Sequence, residues 1–248
     1  MTDVLDELVS MSRVLGDPAM DYVILGEGNT SVRADRDTFW VKASGTELAQ
    51  ASRDGFVRVR FAPILEAIDG PPMGDAQVKD LLKSCTVEGG RAPSIETFLH
   101  ALCLGLEGVQ FVGHTHPPAA VGLLSSQRSR EWFAGSLFPD QIVVTGPRYA
   151  YVPYADPGLP LALAVRDAIR GFVARDCRSP KVILMENHGV IALGATPREV
   201  LNITQMLVKV CRILAHALTA GGPRFLTAAH VDRIDQRPDE LARRKGFA

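Results

Sequence analysis

The stretch that most restricts the fold of this chain is Gly113-His114-Thr115-His116-Pro117-Pro118. It follows Gly108-Val109-Gln110-Phe111-Val112, a short apolar run that reads as a strand. Side chains two apart on a strand share a face. His114 and His116 therefore project the same way from one strand end, and Pro117-Pro118 stops the strand because proline cannot donate to a ladder. Such a pair serves either as a polar strand end or as two imidazole ligands for a divalent metal, zinc above all.

A third histidine favours the metal. Lys181 to Met185 reads as a strand, Val190 to Gly194 as another, and Glu186-Asn187-His188-Gly189 makes the corner between them. Of the six histidines in the chain, three thus lie at strand ends. A carboxylate is available at Glu96. Pro93-Ser94-Ile95-Glu96-Thr97 reads as a helix start with Ser94 as N-cap and Glu96 in the first turn, where the helix dipole also favours an acid. His100 falls on the same helical face and is read as a residue supporting the site from behind.

A chain of 248 residues can bury roughly 70–75% of its unfolded surface without disulfide staples. Its formal net charge of −1 argues against a dedicated nucleic-acid or membrane-surface protein, which would be basic. Cys85, Cys103, Cys177 and Cys211 are scattered, with no Cys-x-x-Cys pair, and read as free thiols of a reducing compartment. The first residues carry acids where a signal peptide needs a basic flank, and no continuous apolar run reaches the roughly 20 residues of a membrane helix. A cytoplasmic protein is expected.

Along the chain, helices are expected over residues 3–15, 63–68, 75–84, 94–106, 119–125, 160–174 and 196–220. Thr196-Pro197-Arg198-Glu199 supplies the last of these with a capping box and a first-turn proline. Strands are expected at Tyr22–Leu25, Ser31–Arg33, Thr38–Lys42, Phe56–Arg60 and Gln141–Val144, and 87–91 reads as loop. Gly26-Glu27-Gly28-Asn29-Thr30-Ser31 is not a dinucleotide fingerprint, since no third glycine follows in place and the chain continues as strand. It reads as a hairpin turn or as a nest of amides for an anion. Irregular alternation of strands and helices, without repeats or linkers, predicts one domain over 1–248 with a mixed, largely antiparallel sheet covered by helices, and a peripheral tail from about 223.

Five motifs occur in fixed order: Gly28-Asn29-Thr30-Ser31-Val32-Arg33, Lys42-Ala43-Ser44-Gly45, Pro93-Ser94-Ile95-Glu96, His114-Thr115-His116-Pro117 and Asn187-His188-Gly189. Together they make the chain resemble the class II aldolase and adducin-head superfamily, which includes L-fuculose-1-phosphate and L-rhamnulose-1-phosphate aldolases, a 4-epimerase and decarboxylases. The resemblance spans residues 5 to 220. It implies a three-layer α/β/α sandwich, a homotetramer with sites between subunits, and a metal held by His114, His116, His188 and Glu96. It also implies an anion held by Gly28, Asn29, Ser44, Gly45 and Ser94.

The chemistry implied is retro-aldol cleavage of a ketose or sugar-phosphate-like substrate through a metal-stabilised enediolate, with Glu96 moving the proton at carbon. Tyr154, in Tyr154-Ala155-Asp156-Pro157-Gly158, resembles a family tyrosine that reaches a neighbouring site, although Tyr149 and Tyr151 stand close by. Decarboxylation, 4-epimerisation, zinc hydrolysis and a non-catalytic adducin-like role are the alternatives. Ile95 departs from the resemblance, because a second serine is usual there. Thr97, Thr30 or the Ser44-Gly45 loop compensates, or else the substrate carries a different tail.

Overall fold

The computed structural model describes residues 3–246. Eight strands form one sheet in the order β4-β3-β2-β1-β5-β8-β7-β6. In chain order they are β1 (Asn29–Arg33), β2 (Thr38–Lys42), β3 (Phe56–Arg60), β4 (Thr86–Glu88), β5 (Phe111–Thr115), β6 (Ala150–Val152), β7 (Val182–Met185) and β8 (Gly189–Gly194). Every neighbouring pair is antiparallel except β6–β7. The sheet is therefore mixed and largely antiparallel, and helices cover both faces.

The helices are α1 (Val4–Leu15), α2 (Phe61–Asp69), α3 (Asp75–Cys85), α4 (Thr97–Leu104), α5 (Pro118–Leu124), α6 (Ser129–Trp132), α7 (Pro139–Thr145), α8 (Leu159–Asp176), α9 (Pro197–Thr219), α10 (Ala228–Gln236) and α11 (Pro238–Lys245). Period-two alternation divides the strands between two cores. Ile191 and Leu193 of β8 face a core with Ile64, Phe98 and Leu161 from α2, α4 and α8. Val190 and Ala192 face the opposite core, with Leu8, Leu124 and Leu207 from α1, α5 and α9. The close fit of the second layer explains Gly113: a Cβ there would sit 2.8 Å from Val200 Cγ1 of α9.

Two expected strands are absent. Gln141–Val144 lies in α7, begun by Pro139 at a first-turn position, with Gln141 to Thr145 all buried. A short apolar run buried on all sides carries no periodicity to separate helix from strand. Tyr22–Leu25 is irregular because Leu25 adopts φ 51° and Glu27 N–H closes a turn on Ile24 O at 3.0 Å. The stretch read as loop after residue 86 instead adds the short edge strand β4 to the sheet. Beyond 223 the chain forms α10 and α11, and Val231 and Ile234 pack on Ile142 and Val143 of α7.

α9 spans 23 residues and contains an 18-residue window of mean hydropathy 1.2, long and apolar enough to cross a membrane by length and composition. Its apolar face, with Val200, Ile203, Leu207 and Leu214, is buried in the core, while Lys209 and Arg212 lie on the other side.

Candidate active site

The site forms where β5, the β7–β8 corner and the start of α4 meet. His114 lies on the same face of β5 as Val112, the face covered by α4. Its Nδ1 donates to Val190 O at 3.0 Å, which leaves the Nε2 lone pair aimed at its neighbours. His116 Nε2 lies 2.9 Å from His114 Nε2, and the three rings of His114, His116 and His188 have centroids 4.6–5.2 Å apart. One nitrogen from each falls within 4.8 Å of the others.

His188 sits in the corner where Asn187 takes φ 52° and Gly189 opens β8. Gly189 is a requirement of close approach: a Cβ there would lie 2.5 Å from His116 Cδ2, 2.7 Å from Thr115 O and 3.1 Å from His114 Cε1. Gly28 has a similar role, with φ 65° and a Cβ position 2.7 Å from His114 O.

Glu96 joins this group one residue ahead of α4. Ser94 supports the turn, because its Oγ accepts from Glu96 N–H at 3.3 Å, but the helix itself begins at Thr97. Glu96 Oε1 lies 3.1 Å from His188 Nε2, and Oε2 lies 3.5 Å from His114 Nε2. Behind it, Asn29 Nδ2 donates to Glu96 Oε2 at 2.5 Å. Asn29 Oδ1 meets His100 Nε2, and His100 Nδ1 meets Ser31 Oγ at 2.6 Å. The buried chain Ser31–His100–Asn29–Glu96 thus fixes the carboxylate from behind.

Burial governs the ionisation of the imidazoles. It pushes His114 and His100 down to about 4 and His116 down to about 3, so all three are neutral near pH 7. Burial disfavours the charge of Glu96 too, yet its hydrogen bonds from the His188 imidazole and the Asn29 amide hold its carboxyl well below the usual carboxylate range. Neutral imidazole nitrogens aimed at one another repel unless a cation or proton lies between them. The donor set, three imidazoles with a carboxylate alongside, fits a divalent metal such as zinc.

The expected anion-binding residues are dispersed. Asn29 is turned to Glu96 and His100, and Gly28 is packed under His114. Ser44 and Gly45 are exposed on their loop, and Gly45, at φ 73°, has open space where a Cβ would be. A bridge between Ala43 and Pro93 places that loop beside Ser94. Thr30 cannot compensate for Ile95: its Oγ1 meets Ser12 Oγ of α1 at 2.6 Å, on the opposite face of the sheet. Thr97 Oγ1 donates to Ser94 O at 2.6 Å and is likewise committed. Ile95 turns outwards beside Gly158, 46% exposed.

Of the three tyrosines, Tyr149 is bound to Gln141 and Thr145 and Tyr151 to Ser129. Tyr154 is 57% exposed, its hydroxyl donating only to Asp156 Oδ1 at 3.0 Å. Two residues were not foreseen. Lys42 is buried, and its Nζ donates to Gly26 O at 3.0 Å and Thr46 O at 2.5 Å, joining the two glycine-bearing loops. Glu27 Oε1 stands 3.8 Å from His116 Nδ1. Both lie in or beside motifs noted for their glycines; the signal was a charged residue between two glycines for Glu27 and a lysine closing an apolar strand for Lys42.

Residues 6–215 match the family described as Class II Aldolase and Adducin N-terminal domain, and the chain belongs to it. Among its relatives is YuxG of Bacillus subtilis (strain 168), named an uncharacterised oxidoreductase, 29% identical over 202 residues. That match takes in 77% of this chain but only 26% of the relative.

Among solved structures, the N-terminal class II aldolase domain of a conserved Thermoplasma acidophilum protein is 29% identical with TM-score 0.67, covering 87% of this chain and 95% of that one. An L-fuculose 1-phosphate aldolase shares the fold at TM-score 0.70 and 20% identity, covering 95% and 96%. YgbL of Klebsiella pneumoniae, a putative aldolase/epimerase/decarboxylase, does so at TM-score 0.70 and 21% identity, covering 94% and 99%.

Proposed function

We propose that this protein is a zinc-dependent carbon–carbon lyase that cleaves a ketose or sugar-phosphate-like substrate by a retro-aldol reaction, within a single domain. The observation that carries the reading is the convergence of His114, His116 and His188 with the Glu96 carboxylate against two of them. When bound there, the metal supplies a Lewis acid that polarises a carbonyl and offsets negative charge.

The protein's own groups do the rest. His114, His116 and His188 would hold the ion, with Glu96 beside them able to serve as a further ligand. Glu96 is also the group that moves a proton at the carbon next to the carbonyl. Asn29 and His100 fix the direction of its carboxylate. The hydroxyl proton of the substrate must leave as the C–C bond breaks. Tyr154, exposed and lightly held, relays that proton from a neighbouring subunit of a homotetramer, accepting it as its own hydroxyl proton passes to Asp156. Ser44, Gly45 and Ser94, on adjoining loops, form the side that takes an anionic tail through their amides and hydroxyls, since Gly28 and Asn29 are committed to His114, Glu96 and His100.

The test is a product assay on ketose phosphates and their unphosphorylated counterparts, reading aldehyde, carbon dioxide and epimer separately. Aldehyde from wild type, with the Glu96→Gln variant slower by about 10²–10⁴-fold, is the expected result. Carbon dioxide or epimer without aldehyde assigns the site to decarboxylation or epimerisation. Wild-type exchange of solvent deuterium into the ketone by Glu96→Gln removes Glu96 from the mechanism.

A further inference from the structure

The turn that carries Glu27 is built to hold that side chain still. Leu25 takes a left-handed φ of 51°, and Glu27 N–H donates to Ile24 O at 3.0 Å. Glu27 Oε2 accepts from Ile24 N–H at 3.1 Å, and Oε1 faces His116 Nδ1 at 3.8 Å. The carboxylate is thus anchored at one oxygen and leaned against a candidate ligand with the other.

It forms a wall of a cavity of about 340 Å³ that opens over His116 and His188. Ile24 and Val121 line the apolar part, and Asp21 adds a second carboxylate. Among the described residues, no lysine or arginine lines the cavity. Ser44, Gly45 and Ser94 are not among its walls either. The cavity over the histidines thus offers acids and hydrocarbon, whereas Ser44, Gly45 and Ser94 present amides and hydroxyls on loops outside it.

We propose that this cavity receives the half of the substrate that leaves as aldehyde, and that Glu27 is a specificity-determining residue that admits aldehydes without negative charge. The inference rests on the retro-aldol reading. In that step the C–C bond breaks and its electron pair goes to the ketone fragment, whose carbon takes up a proton delivered by Glu96, while the hydroxyl proton passes to the Tyr154–Asp156 pair and the hydroxyl carbon becomes the aldehyde. A hydroxyl on that fragment can donate to the Glu27 carboxylate. An anionic group there would meet Glu27 and Asp21 beside apolar walls that screen poorly, with no lysine or arginine among the described lining residues to pair with it. Ketoses whose phosphate departs with the aldehyde are therefore rejected, while a phosphate on the ketone fragment is unaffected. Rejection is built from the repulsive element as much as from attraction.

The experiment uses the zinc-loaded protein in the aldol direction, with dihydroxyacetone phosphate or dihydroxyacetone as the ketone donor. Glycolaldehyde and glyceraldehyde serve as neutral acceptors, and glyoxylate and glyceraldehyde 3-phosphate as anionic ones. Wild type should prefer the neutral acceptors by about tenfold or more in kcat/KM. Glu27→Gln should shrink that ratio several-fold and Glu27→Lys should invert it, whereas a purely structural role would slow all acceptors alike.

A second measurement needs no turnover. His116 and His188 imidazole NMR shifts are followed in metal-free protein during titration with glycolaldehyde or glyoxylate. Glycolaldehyde should perturb them in wild type, and glyoxylate should do so only once Glu27 is neutralised. Absence of turnover with every acceptor, together with these shifts, overturns the retro-aldol reading and keeps the charge filter. Equal response to both probes in wild type and Glu27→Gln overturns the filter itself.

Discussion

Gly189→Ala should damage the metal centre without touching a ligand. A Cβ at this position would lie 2.5 Å from His116 Cδ2 and 2.7 Å from Thr115 O. Ordinary contact starts at 3.4 Å, so the new methyl is about 0.7–0.9 Å too close to both. The carbonyl belongs to β5 and cannot swing away, so β8, the corner or the His116 ring must move. Such sites tolerate displacements of only about 0.5 Å.

Metal affinity should fall by about 10–100-fold, the range seen when supporting residues are altered. Overpacking should cost about 1–3 kcal/mol in the metal-free protein, lowering Tm by roughly 2–4 °C per kcal/mol at this chain length. Zinc affinity is read by chelator competition and stability by calorimetry. Gly171→Ala, in the exposed face of α8 with nothing within 4 Å of the new Cβ, is the control and should stabilise by about 0.5–1 kcal/mol. Wild-type zinc affinity together with wild-type melting in Gly189→Ala would refute the view that this glycine sets the spacing of the histidines.

Other outcomes follow from the same geometry. His114→Ala and His188→Ala should each lose most bound metal by elemental analysis, and unchanged content in both would move the site elsewhere. The metal-free protein should lose stability as pH falls from 6.5 towards 4. Burial lowers the His100 pKa from 6.5 to about 4, so the unfolded chain takes up the proton first. The contribution is full above 6.5 and amounts to about 3 kcal/mol for His100 alone, so denaturant titrations across that range should show the slope, and His100→Gln should flatten it. Inactive His116→Ala mixed with inactive Tyr154→Phe under subunit exchange should recover activity, whereas a fully active monomer in sedimentation contradicts a shared site.

The sheet and the histidines were legible because their signals are local. His114 and His116 share a face through strand periodicity, and His188 is marked by a glycine corner. α9 was announced by Thr196, whose Oγ1 accepts from Glu199 N–H. α7 was not legible, because a run buried on every side has no period. The turn at Leu25 was hidden by an apolar residue in a conformation that usually marks glycine or asparagine. The division of Asn29 and Thr30 between opposite faces follows from strand alternation, yet became visible only when Asn29 was paired with His114 across β1 and β5. The roles of Lys42 and Glu27 depend on contacts with Gly26, Thr46 and His116 that no spacing encodes.

The Lys42 ammonium has a consequence for binding as well as for folding. By holding Gly26 O and Thr46 O at once, it makes two loops on the substrate side move as one body. Their conformational entropy is surrendered when the chain folds, not when substrate arrives, so less ordering opposes binding. Burial lowers the Lys42 pKa while Glu96 and Glu47 work against that shift. One proton on a hidden amine thus helps decide whether the mouth of the site is a rigid frame or a pair of independent loops.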